Sequence, residues 1–138
     1  MSRTPRKSIR SLTVACIAMI SLASCGGSSK NDAASVDGSA IAKTKLETAL
    51  TQLSEAGQIT LENGVVPMDA VRSVLAAIIR GEATKQILAQ YNVTVTDADT
   101  KAVVDQVSQD AGYDTLGQEL KDLIIGLNSG DLALARVK

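Results

Sequence analysis

Apolar residues recur at helical spacing along most of the chain beyond Ala42. Leu46, Leu50 and Leu53 step by four and three, so they share one face of a first helix, and Gly57 supplies a stop behind it. Residues 58–66 break the period. Gln58-Ile59-Thr60-Leu61 and Asn63-Gly64 read as a loop with room for a short extended piece. Pro67 suits the first turn of a second helix, in which Val71, Val74, Leu75, Ile78 and Ile79 form the strongest apolar stripe of the chain. Gly81 weakens this helix by about 1 kcal/mol relative to Ala. Ala83, Ile87 and Leu88 nevertheless carry the face onward and predict one long helix to about Tyr91. Thr96-Asp97-Ala98-Asp99 has the form of a capping box, with the Thr96 hydroxyl placed to accept from the Asp99 backbone. The third helix it opens has Val103, Val104 and Val107 inward and Gly112 as its end. Thr115 with Gln118 predicts a second capping box and a fourth helix that buries Leu116, Leu120, Leu123, Ile124 and Leu127. Gly130 and Asp131 predict a short last helix through Leu132 and Leu134. The fold class is mainly α, a small domain of four to five helices with no internal repeat.

The N-terminal pattern is different. Arg3, Arg6, Lys7 and Arg10 precede an uncharged stretch from Leu12 to Ala23, the layout of a secretory signal. A dozen helical residues reach only about 18 Å, short of the roughly 30 Å hydrocarbon core of a bilayer. The stretch is therefore an export signal rather than a permanent span. It ends in Leu22-Ala23-Ser24-Cys25, which resembles the lipobox of bacterial prolipoproteins. That resemblance implies cleavage between Ser24 and Cys25, a diacylglycerol thioether on Cys25 and an acyl chain on its amino group. The other reading is a plain signal peptide in which Cys25 is incidental. Arg3 and Arg6 are not adjacent, which favours the general secretory route over a twin-arginine one. Gly26-Gly27-Ser28-Ser29-Lys30-Asn31-Asp32 reads as a flexible tether. The expected organisation is a signal peptide over 1–24, a lipidated tether over 25–35 and a helical domain over 36–138. The expected location is the extracytoplasmic face of a membrane, held by lipid; in a diderm, that is the outer membrane or the periplasm.

Charge and composition narrow the function. Four of the 14 basic residues fall in the signal and all 15 acids lie beyond it, so the mature chain carries 10 − 15 = −5. With no basic run, nucleic-acid binding is not expected, and the lipid on Cys25 is the only expected membrane contact. The sequence has no histidine, and Cys16 leaves with the signal, so the remaining thiol, on Cys25, is spent on lipid. A disulfide, a thiol nucleophile and a histidine base are thereby excluded, and no metal or cofactor is expected. Asp97 and Asp99 read as helix-start charges, because positions two apart on a helix do not face each other. Asp105 and Asp110 read as solvated. Asn92-Val93-Thr94 fits a glycosylation sequon, a pattern that three-residue chance explains. Tyr91 and Tyr113 are the only aromatic residues, so stacking platforms for sugars or bases are not expected. The expectation is a binding protein, not an enzyme.

The order of pieces resembles the SurA N-terminal domain family. Val36-Asp37-Gly38 followed by Ile41, Leu46 and Leu50 is similar to that family's short strand and turn leading into its first helix. The Val71 to Ile87 helix resembles its long central helix. Asn92-Val93-Thr94-Val95 before Thr96-Asp97, then Gly112-Tyr113 with Leu116 and Leu120, complete a likeness covering nearly all of residues 36–127. Ala42, Thr100 and the scarcity of aromatics depart from the pattern. The resemblance implies an exported chaperone-like module that shields apolar segments of unfolded proteins. With the chain ending at Lys138, no parvulin isomerase domain is expected behind it. The expected client groove lies along the long helix at Ile78, Ile79 and Ile87. The competing expectation is an adaptor lipoprotein that binds one specific envelope partner through a helical face.

Overall fold

The computed structural model describes residues 30–137. The segment that resembles a lipobox, with Ser24 and Cys25, lies outside the described residues. The chain opens with an antiparallel hairpin of β1 (Asp32–Val36) and β2 (Ser39–Ala42). Its turn is Asp37-Gly38, with φ of 44° and 83°. Two successive left-handed residues match the right-handed twist of the strands. Strand pairing starts at Asp32, so the extended hairpin begins inside the segment expected to be tether. Ile41 points from β2 into the core, and Gln86 donates to the Val36 carbonyl at 2.7 Å to pin the hairpin against the long helix.

Four helices follow: α1 (Lys43–Glu55), α2 (Met68–Gln90), α3 (Asp97–Val107) and α4 (Gln118–Leu134). The mainly α class and the short N-terminal strands agree with the sequence. α1 and α2 end in the same device. Gly57 (φ 70°) follows α1 while Gln58 N–H reaches the Leu53 carbonyl and Gly57 N–H the Ser54 carbonyl. Asn92 (φ 53°) follows α2 with the equivalent bonds from Val93 to Leu88 and from Asn92 to Ala89. This paired closure satisfies carbonyls that would otherwise be left open. Asn92 is thus a helix terminator, since asparagine tolerates the left-handed region better than most side chains. Between α1 and α2, Asn63 (φ 53°) and Gly64 (φ 78°) make a tight turn closed by the Glu62–Val65 bridge.

The Thr96 capping box is present in full. Thr96 Oγ1 accepts from Asp99 N–H at 3.2 Å, and the Asp99 carboxylate accepts from Thr96 N–H at 2.8 Å. Three expectations further along are corrected. α3 stops at Val107 rather than near Gly112, and a chain of turns through Asp110 carries the backbone onward. Thr115 does not cap α4; it sits in a 3-10 turn (Tyr113–Thr115) and its hydroxyl donates to the Gly112 carbonyl at 2.6 Å. The α4 cap comes instead from α1, where Gln52 Oε1 accepts from Leu120 N–H at 3.1 Å. A Cβ on Gly117 would lie 2.3 Å from Gln52 Cδ, so only glycine lets that side chain reach the helix end. Finally, Gly130 starts no new helix. α4 runs unbroken to Leu134, because the missing side chain at Gly130 makes room for buried Thr84 of α2.

α2 and α4 run side by side in the same direction. A Cβ on Gly81 would lie 3.3 Å from Leu127 Cδ2 and one on Gly130 would lie 2.8 Å from Thr84 Cγ2, so three residues forward on α2 match three forward on α4. The core lies between the hairpin, α1, α2 and the start of α4, around Ile41, Leu46, Leu50, Val74, Ile78 and Leu120. α3 packs mainly on α4, burying Val103 and Val107.

Candidate functional site

The three isoleucines expected to share a groove do not. Ile78 is 3% exposed and belongs to the core, Ile79 is half-buried against it, and Ile87 is 41% exposed. At about 100° per residue, nine positions bring Ile87 to the side of α2 opposite Ile78. It borders a shallow depression with Asp37, Ser39 and Gln86 instead. A continuous apolar stripe in sequence had joined residues that lie on different faces.

Ile78 does reach a real opening. A cleft of about 250 Å³ lies between the middle of α2, the first half of α4 and Lys45 of α1. Ile78, Leu123 and Leu127 supply apolar walls, and Gly81 and Gly126 complete the lining between them. A Cβ on Gly126 would meet nothing within 4 Å, so an added side chain there would project into open space. A cavity of about 150 Å³ holds a benzene ring, whereas pockets for drug-sized ligands run from about 300 Å³ upward. The cleft therefore suits one bulky side chain of a larger molecule better than a cofactor. Its rim is charged, with Lys45 and Lys85 against Glu82, Glu119 and Asp122. Glu82 and Lys85 pair at 3.7 Å, and Asp122 accepts from Gln118 Nε2 at 2.7 Å.

The α4 side of this site falls on one face of the helix predicted from Leu116 to Leu127. Glu119, Asp122, Leu123, Gly126 and Leu127 follow the i, i+3, i+4, i+7, i+8 pattern of one helix face. Of the α4 glycines, Gly130 alone marks a close approach of α4 to α2, at Thr84. A smaller hollow of about 200 Å³ sits where α1, the end of α3 and α4 meet, walled by Leu53, Val107, Tyr113 and Ile124. Lys121 Nζ stands 5.1 Å from the centroid of the Tyr113 ring.

Asp99 carries more than a helix-start charge. Its two oxygens receive Arg136 Nη1 at 2.7 Å and Nη2 at 2.8 Å, and Nη2 also donates to the Thr94 carbonyl at 2.8 Å. The Arg136 fork, followed by the Thr96 backbone and hydroxyl donors, holds the Asp99 carboxyl well below the usual carboxylate range, while Asp99 raises Arg136. This clamp fastens the α2–α3 connection to the end of α4. It is a structural joint in which both carboxylate oxygens are engaged. Among the described residues no group of three or more potential metal ligands comes together, and no helix is long and apolar enough to cross a membrane.

A family model described as SurA-like N-terminal domain matches residues 6–121. The match takes in the hairpin, α1 to α3 and the first turn of α4, so Gly126 and Leu127 lie beyond it. No curated protein and no solved structure matches the chain.

Proposed function

The chain belongs to the SurA-like N-terminal domain family, and on that footing we propose that it is a lipid-tethered holdase for unfolded or extended segments of exported proteins. The family is chaperone-like and extracytoplasmic, and consistent with binding protein substrates. The observation that carries the reading is the cleft between α2 and α4, with apolar walls and a charged rim, open to solvent and sized for a single client side chain. Burying one leucine- or phenylalanine-sized side chain contributes about 1.5–3 kcal/mol. Alone that corresponds to an affinity weaker than millimolar, so a client is held only where the cleft adds to other contacts along the chain, and it is released readily. No step of bond chemistry is part of the proposal, and neither is proline isomerisation.

The tether is part of the same proposal. Acylation of Cys25 would keep the cleft close to the membrane surface, where exported chains emerge unfolded; more than one acyl chain makes such anchoring stable. Radiolabelled fatty acid should enter the protein and be lost in Cys25→Ala; label that persists in that variant would remove the anchor from the proposal. The holding role is tested with the full-length chain in detergent, at several-fold excess over a chemically unfolded client whose aggregation is followed by light scattering. The chain should slow aggregation, and Gly126→Leu, which adds a bulky side chain at an open lining position, should lose most of that effect while still folding. Unchanged client aggregation in the presence of the unmodified chain would refute the role.

A further inference from the structure

We propose that the cleft selects client segments in which a basic residue lies two positions from a bulky apolar one. This deepens the holding role and rests on it. The evidence is the order of groups on one face of α4: Glu119 and Asp122 come first, then Leu123, Gly126 and Leu127. The face thus has an acidic end and an apolar end. Across the rim, Lys85 is paired with Glu82, whereas among the described residues neither Glu119 nor Asp122 forms an ion pair. Lys45 is the remaining rim cation, so the open charges of the cleft sum to 1 − 2 = −1. The acidity of the described chain as a whole points the same way.

The spacing follows from helix and strand geometry. Asp122 and Leu127 are five positions apart, about 7.5 Å along the helix axis at about 1.5 Å per residue. An extended client advances about 6.8 Å over two residues, and residues two apart project to the same side. A lysine or arginine over the Glu119–Asp122 end therefore places the side chain two positions away over Gly126 and Leu127. A basic residue directly next to the apolar one would point away from the carboxylates. Solvent-exposed ion pairs contribute about 0.2–1 kcal/mol each, and about 0.4–1 kcal/mol in total for a cation shared between Glu119 and Asp122 gives a preference of two- to five-fold rather than an absolute one.

The test uses the full-length chain in detergent and fluorescein-labelled peptides of equal composition, read by anisotropy at low salt. One set carries lysine two positions from a single leucine, on either side; a second carries it adjacent; a third has glutamate in place of the spaced lysine. The spaced-lysine peptides should bind two- to five-fold tighter than the adjacent-lysine ones, with the glutamate peptides weakest and the spread shrinking at high salt. Glu119→Gln combined with Asp122→Asn should level the series, whereas Asp105→Asn, on exposed α3, should leave the order intact. A flat or reversed order in the unmodified chain overturns the proposal, even where aggregation of a broad client is still suppressed and falls with Gly126→Leu. Loss of that suppression in the unmodified chain would instead refute the holding role itself.

Discussion

Gly126 and Gly130 lie four residues apart in one helix, and the same substitution should have opposite effects at the two positions. Glycine inside a helix is worse than alanine by about 1 kcal/mol, chiefly through backbone entropy. At Gly126 the new methyl meets nothing within 4 Å, so Gly126→Ala should realise that whole gain. For a domain of this size about 1 kcal/mol corresponds to roughly 4–8 °C in melting temperature. At Gly130 the methyl would lie 2.8 Å from Thr84 Cγ2, inside a region where Thr84 is only 6% exposed and cannot swing out. Overpacking of that kind costs about 1–3 kcal/mol. Gly130→Ala should therefore range from neutral to about 2 kcal/mol destabilising once the helix gain is subtracted. Thr84→Ser removes only the clashing methyl, and in the Gly130→Ala background it should restore part of the loss, with a coupling of about 0.5–3 kcal/mol across the double-mutant cycle. Urea unfolding followed by circular dichroism gives all four stabilities. Equal stabilisation by both alanines, or no coupling between positions 84 and 130, would mean that α2 and α4 do not approach each other there.

Gln52→Ala leaves the Leu120 N–H without its acceptor and should cost about 1 kcal/mol, with amide exchange accelerated in the first turn of α4. The depressed carboxyl of Asp99 contributes stability that is present above its unfolded value, near 3.8, and is lost as pH falls through the lower folded value. The urea midpoint of the unmodified chain should thus exceed that of Asp99→Asn by a constant margin from pH 5 to 8 and converge on it in strong acid; a margin that grows on acidification would contradict the clamp. Asn92→Val should destabilise by about 1–2 kcal/mol or more, because a branched side chain resists φ near 53°, whereas Asn92→Gly should be tolerated; similar melting temperatures for the two would discount the left-handed closure of α2.

The parts of the fold that could be read in the sequence are those whose causes are local. The Leu46, Leu50, Leu53 stripe, the Gly57 stop and the Thr96–Asp99 box each involve residues within a few positions, and each stands where expected. α4 was misread at both ends because its causes are distant. Its cap belongs to Gln52, 68 positions earlier, and the glycine near its far end is explained by Thr84. Locally, Thr115 and Gly130 gave the opposite signals. Of the expected groove, Ile78 lines the candidate cleft from the core, while Ile87 stands apart because the apolar stripe continues past the point where the helix turns it outward. Gly126 carried no signal on its own, since the opening it lines exists only between two packed helices.

The cap that Gln52 places on α4 also orders assembly in time. Six of the seven fully buried members of the main core come from residues up to Ile78, and only Leu120 is added from α4. The first half of the chain can thus begin to collapse before α4 is engaged, whereas docking α4 onto it must then close the segment from Gln90 to Gln118, an entropic cost of roughly 3 kcal/mol. One wall of the cleft is consequently the last to arrive on folding and the first to leave on partial unfolding. The proposed holding site would then be lost before the compact first half of the chain.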